Sequence, residues 1–151
     1  MVERDDLIAF CGLYCDDCFG YKGKIADLAR DLRKELRQEK FDRIVDGIPF
    51  KEFRNYKECY DVLGALVRLR CKNACRGGGG NPFCKIRKCC QKMEIVGCWE
   101  CNEFEKCEKL DFLKVNHGDA HLKNLRIINK KGVDEFFYGK KYWYTVIKEK
   151  K

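Results

Sequence analysis

Twelve cysteines in 151 residues constrain this chain more than any other feature. Ten of them fall in close groups: Cys11-x3-Cys15-x2-Cys18, Cys71-x3-Cys75, Cys84-x4-Cys89, Cys98-x2-Cys101, and Cys107. Cys90 follows Cys89 directly, and Cys59 stands apart. A metal needs deprotonated sulfur donors converging on one point. Two cysteines two or three residues apart on a tight turn supply neighbouring corners of a tetrahedron, and distant pairs close it. In a short secreted chain the same residues would read as a disulfide framework. The opening "MVERDDLIAF" carries three acidic residues and no long apolar stretch, so it does not read as a secretory signal. The expectation is a cytoplasmic protein whose sulfurs bind metal.

Zinc and iron–sulfur clusters both accept four thiolates. The ferredoxin run C-x2-C-x2-C-x3-C-P is absent, so zinc is expected, with an iron–sulfur cluster as the alternative. "CGLYCDDC" has the spacing that opens the cluster site of radical S-adenosylmethionine enzymes. Those enzymes place an aromatic residue before the third cysteine, where this chain has Asp17, and they need a large barrel for which the chain is too short. If Cys11, Cys15 and Cys18 receive no fourth sulfur, their open position suits a metal-dependent enzyme or a redox protein.

Charged residues make up 37% of the chain, mean hydropathy is −0.54, and no apolar run approaches the roughly 20 residues that span a bilayer. One domain over residues 1–151 is expected, mainly α with an irregular, metal-stapled segment and room for a small α+β element. "KGKIADLARDLRKELRQEKF" predicts a helix, with Ile25, Leu28, Ala29, Leu32 and Leu36 on one face. "PFKEFRNYKECYDVLGALVRLR" predicts a second, with Pro49 in its first turn and a stripe of Phe53, Tyr56, Tyr60, Leu63 and Val67. Cys59, one position off that stripe, reads as a packed thiol. "DDLIAF" fits a strand or a helical turn. Residues 71–107 show no clean period, and metal crosslinks are expected there in place of a core. Short helical pieces are expected at "CKIRKCCQK" and "EFEKCEKLDFL". A helix over "HGDAHLKNLRIINKKG" should end at Gly132. "VDEFFYGKKYWYTVIK" should be a short helix followed by an extended aromatic end.

"CGLYCDDC", "RCKNACRGGGGNPFCKIRKC" and "CWECNEFEKCEKL", in that order, resemble a family of small cysteine-rich bacterial and archaeal proteins. It is known as domain of unknown function thirty-seven ninety-five. The resemblance covers about residues 8–113. It implies zinc held by cysteine and no established activity. It carries over Cys11, Cys15, Cys18, Cys71, Cys75, Cys84, Cys89, Cys98, Cys101 and Cys107, and leaves Cys59 and Cys90 outside. Other members often have C-x2-C where this chain has Cys71-x3-Cys75. Ten ligands fill two four-sulfur sites and leave two over. One pairing joins Cys71, Cys75, Cys84 and Cys89 locally and joins Cys98, Cys101 and Cys107 to one or more of the N-terminal three.

The only histidines, His117 and His121, are spaced to share a helix face. With Cys98 and Cys101 they formally fit a two-cysteine, two-histidine finger. With Asp119 they fit a pocket. The plainer reading is a surface turn and a helix face, with Asn116 or Asp119 as a cap. "RGGGGNPF" lacks the GK[ST] ending of a phosphate loop and reads as a compliant turn that lets cysteines converge.

Charge is unevenly placed. Residues 62–93 contain no acid and eight cations: Arg68, Arg70, Lys72, Arg76, Lys85, Arg87, Lys88 and Lys92. Outside that window cations and acids balance, so the whole net charge of +8 arises within it. A zinc on four thiolates, about −2 in total, offsets only part. The surplus suggests an acidic partner, either nucleic acid or an acidic protein, with the aromatics of "YGKKYWYT" available to stack on bases.

Overall fold

Helix-forming periodicity survives in the structure, a computed structural model that describes residues 3–145. The protein is mainly α. Among the described residues there is no strand, only one antiparallel bridge between Ile8 and Tyr14. No described helix is long and apolar enough to cross a membrane. Contacts divide the chain into two compact units, one formed by Met1–Asp17 and Asn73–Lys151, the other by Cys18–Lys72.

The unit Cys18–Lys72 is built on a helical pair. A single turn, Phe19–Lys22 (α1), stops at Gly23, whose φ of 72° suits a residue without Cβ. Lys24–Gln38 (α2), the turn Phe41–Ile44 (α3) and Tyr56–Arg68 (α4) follow. The second predicted helix is therefore shorter than its period implies. Lys51–Asn55 is a 3-10 segment, and Asn55 (φ −101°, ψ 21°) breaks the helical ladder before α4. Pro49 precedes both. Phe53, Tyr56, Tyr60, Leu63 and Val67 form the half-buried face, as their spacing predicts. Cys59, expected to pack, is exposed.

The face that α2 buries is not the one with the largest side chains. Ala26 and Ala29 are buried, whereas Ile25, Leu28 and Leu32 are 45%, 55% and 48% exposed. The reason lies in what α4 offers. Gly64 is buried on α4, and the Arg33 guanidinium lies 2.9 Å from where its Cβ would be. Arg33 also sits 4.3 Å over the Tyr60 ring, and Arg37 donates to the Tyr60 hydroxyl at 2.9 Å. Small residues and arginine stems thus fill a closely packed seam and leave the leucines outside.

The other unit carries the hydrophobic core. Ile8, Leu13, Tyr14, Ile86, Cys90, Trp99, Phe104, Leu110, Leu125 and Phe136 form one buried cluster. Its helices are Lys85–Lys92 (α5), Lys114–His117 (α6), Ala120–Lys131 (α7) and Val133–Tyr138 (α8). The predicted end of α7 at Gly132 holds, with φ 88°. "DDLIAF" resolves into a 3-10 turn, Arg4–Leu7, before the bridge at Ile8. "EFEKCEKLDFL" becomes 3-10 turns at Phe104–Lys106 and Glu108–Leu113 rather than an α-helix. Residues 71–107, expected to build no core of their own, contribute Ile86, Cys90, Trp99 and Phe104 to this shared one. Aromatic residues at irregular spacing enter this core through turns, where no helical period betrays them. The extended end runs to residue 145, and the rest of "YWYTVIK" lies outside the described residues.

Asn124 ties the ends of this unit together. Fully buried on α7, it donates to the Gly12 carbonyl at 2.9 Å and the Tyr142 carbonyl at 2.8 Å, and accepts from the Tyr142 amide at 2.9 Å. Gly12, at φ 81°, has no room for a side chain: a Cβ would sit 2.9 Å from Leu125. The glycine of "CGLYC" is thus a packing requirement of the turn that carries Cys11.

Candidate functional site

All twelve cysteines carry thiols, and no disulfide links any of them among the described residues. Two thiol neighbourhoods form in the unit with the core. In the first, the Cys75 amide points at Cys15 Sγ, 3.4 Å away, and the two side chains also interact. Cys11 is near Cys75 and Cys84. Burial, reinforced by those thiols, pushes Cys11 up to about 12, and the contact with Cys15 followed by burial raises Cys75 well above the usual thiol range. The glycine run builds this corner. The Gly79 amide donates to the Ala74 carbonyl at 3.0 Å, and a Cβ on Gly79 would collide with the Asn73 carbonyl. Arg87 donates to the Gly79 carbonyl.

The second neighbourhood lies between α5 and the turns after it. Cys90 Sγ and Cys98 Sγ are 3.7 Å apart and buried. Cys98 also senses Cys11 and Cys107, and its thiol is raised, chiefly by Cys90 and then by burial. Cys90 is lowered by the same contact and by Arg76. A small cavity of about 30 Å³ is lined by Cys89, Cys90, Met93, Cys98, Cys101 and Cys107, with apolar side chains such as Ile86 and Leu110 between them. The Cys98 amide bonds the Phe10 carbonyl at 2.9 Å, which sets this neighbourhood beside the turn carrying Cys11.

In the unit Cys18–Lys72, Cys18 and Cys71 flank Gly20. Their Sγ atoms lie 3.6 and 3.3 Å from a Cβ built there, and the Cys71 amide bonds the Gly20 carbonyl at 2.9 Å. The local pairing read from spacing is thus rearranged. Cys75 is in contact with Cys15, and Cys90, outside the family pattern, stands against Cys98. Sequence separation hid both contacts. Among the described residues, no three cysteine, histidine, aspartate or glutamate side chains converge closely enough to hold an ion as they stand. The donor set nevertheless fits zinc in kind: several soft sulfurs per neighbourhood, withdrawn from water, with arginines near by.

The histidines do not share a helix face. Gly118 (φ 64°) ends α6 at His117, and α7 starts beyond it. His117 Nδ1 is 2.8 Å from the Trp143 carbonyl and its ring stacks on Tyr144. His121 is fully buried with no partner for either ring nitrogen, and burial, with His117 next, lowers it to about 4. Asp119 occupies the cap position of α7, but its carboxylate accepts from Thr145 and Lys123 instead of capping.

Several cations of the basic window are used internally. Arg76 donates to the Ile8 carbonyl at 2.7 Å and lies over Phe10 and Trp99. Arg70 pairs with Asp27. Lys85, Lys88 and Lys92 are exposed and share one face of α5. A larger basic feature was not legible in the charge count. The unit Cys18–Lys72 has a cleft of about 700 Å³ with Arg37, Lys40, Arg43, Arg54 and Lys57 on its walls. Phe53, Tyr56 and Tyr60 supply aromatic surface, and among the described residues Asp42 and Asp46 are the only acids lining it. The chain-wide balance outside residues 62–93 conceals it, because the compensating acids lie elsewhere on the helices.

No curated protein and no solved structure matches the chain. A family profile, described as a protein of unknown function (DUF3795), matches residues 7–112. This match spans both thiol neighbourhoods, the Cys18–Cys71 pair and the basic cleft, and on it the chain belongs to the DUF3795 family of proteins of unknown function.

Proposed function

We propose that this is a zinc-binding protein of adaptor type, working in the cytoplasm, that presents a basic surface to nucleic acid or another acidic partner. The observation that carries the binding role is the cleft in the unit Cys18–Lys72: five cations against two carboxylates, beside three aromatic rings. Its volume suits a ligand of several to tens of heavy atoms. Cations follow a phosphate backbone while aromatic rings accept bases of any sequence. The exposed lysines of α5 offer a second basic face. Zinc, held by the clustered thiols, would supply crosslinks in the other unit. Ligation needs thiolates, so metal uptake would release thiol protons.

Fluorescence anisotropy with a labelled single-stranded RNA and its DNA counterpart tests the binding role. Affinity should fall as salt rises, with a logarithmic slope of about −0.7 for each phosphate neutralised. Arg43→Glu combined with Lys57→Glu should reduce affinity at least tenfold and flatten the slope. Lack of binding at low salt, or binding indifferent to the double charge reversal, would remove nucleic acid as this cleft's partner. Elemental analysis of the full chain purified without chelators tests the zinc.

A further inference from the structure

We infer that Cys90, not its neighbour Cys89, is a metal ligand, and that it forms a zinc site with Cys98, Cys101 and Cys107. This rests on the zinc reading above and assigns the ligands of one site.

The first ground is distance. A tetrahedral zinc with Zn–S bonds of about 2.3 Å sets its sulfurs about 3.8 Å apart along each edge. Cys90 Sγ and Cys98 Sγ are 3.7 Å apart. One edge of the tetrahedron is thus present in the protein without the ion. The second ground is the cavity. At about 30 Å³ it has room for a small occupant. A buried water, however, needs two to four polar partners, and this lining is sulfur and hydrocarbon, with only the stem of Lys109 added. A soft cation is the occupant such walls favour. Cys101 and Cys107 line the same cavity, each at the end of a 3-10 turn rather than inside an α-helix, and are the third and fourth sulfurs of the proposed site.

The third ground separates the two adjacent cysteines. On α5, residues 89 and 90 lie about 100° apart around the axis. Cys90 is 1% exposed and joins Ile86 on the buried face. Cys89 is only half-buried; it borders the same cavity, but its thiol is directed to Met93 Sδ, 3.9 Å away. The family resemblance favoured Cys89, and the helix phase reverses the choice. Each thiol that binds passes its proton to solvent, and the zinc takes no part in electron transfer.

The test is metal stoichiometry on the full chain, in wild type, Cys90→Ser and Cys89→Ser. Cys90→Ser should lose one zinc per molecule relative to wild type, and Cys89→Ser none. Cys90→His with cobalt in place of zinc covers a failure of the serine variant to fold. It should keep the metal, with weaker sulfur-to-cobalt charge-transfer absorption than wild type, because one thiolate has been exchanged for imidazole. Zinc-loaded wild type with full zinc in Cys90→Ser, or an unchanged cobalt spectrum in Cys90→His, would overturn the ligand assignment and leave the zinc reading intact. Metal-free wild type would overturn both. A Cys90–Cys98 disulfide in native protein, detected by mass after alkylation, would also overturn the assignment.

Discussion

The two units of this protein solve burial in opposite ways. Cys18–Lys72 has the better helices: α2 and α4 are the longest among the described residues. Yet its buried positions are mostly glycine and alanine, with Val45 the one larger aliphatic among them. The other unit has short helices and many single turns, and it buries Ile8, Ile86, Trp99, Leu125 and Phe136. Regular secondary structure and a large apolar interior are therefore separate properties here. A strong helical period says that a face exists, and the partner surface decides which face is covered. Where the partner is Gly64 with arginine stems, the narrow side of α2 is the one that fits.

This contrast is broken most forcefully in the core unit. Phe136→Ala should cost about 3–5 kcal/mol, since the ring is fully buried and its loss leaves a cavity. Chemical denaturation of the full chain measures the sum, and amide hydrogen exchange assigns it to a unit. Protection should fall in α7 and α8, and a cost below about 1 kcal/mol would mean that the core is loosely packed.

Asn124→Ala is expected next, at about 2–4 kcal/mol, because it strands the Gly12 and Tyr142 carbonyls and the Tyr142 amide in the interior. Asn124→Asp keeps the shape, loses the donor and buries a charge, so it should be no milder. Equal stability of wild type and Asn124→Ala would show that water reaches all three groups.

Much of the architecture was legible. The period within residues 22–41 gave α2, which proves shorter at both ends, and the glycine at 132 gave the end of α7. The cysteine pairs correctly announced turns. What stayed hidden were facts of long-range packing. Nothing local says that Cys15 meets Cys75 or that Trp99 is buried. Gly118 was visible as a weak point, and its φ of 64° turned a shared face into two separate environments. The basic cleft escaped for a different reason: charge counted along the chain averages over both faces of every helix, while the cleft samples one.

His121 probes the interior of the core unit by pH. Its folded imidazole sheds its proton at about 4, below the value of roughly 6.5 for an unfolded histidine. The unfolded chain therefore binds the proton more readily. The stability this group contributes is complete above about pH 6.5 and is lost as pH falls from there toward 4. His117 and Lys114 reinforce the depression, while Asp119 and Asp111 oppose it. His121→Leu should flatten the dependence of melting temperature on pH in that window, with at most one proton's worth of slope removed. An unchanged slope would assign the titration to other groups.

The smallest expected effect is the most pointed, because it involves two adjacent residues on α2. Ala29→Leu forces a larger side chain into the seam against α4 and should cost about 1–3 kcal/mol. Leu28→Ala removes three carbons from a side chain that is 55% exposed and should stay within about 0.5 kcal/mol. Helix propensity favours neither leucine nor alanine strongly, so packing decides the pair. The sequence pattern ranks the two the other way round, with Leu28 as the anchor and Ala29 as filler. Hydrogen exchange across α2 and α4 reads both variants in the intact chain. If Leu28→Ala proved the costlier of the two, the leucine face of α2 would be covered in solution. The helical unit would then owe its stability to an apolar surface after all, as the core unit does.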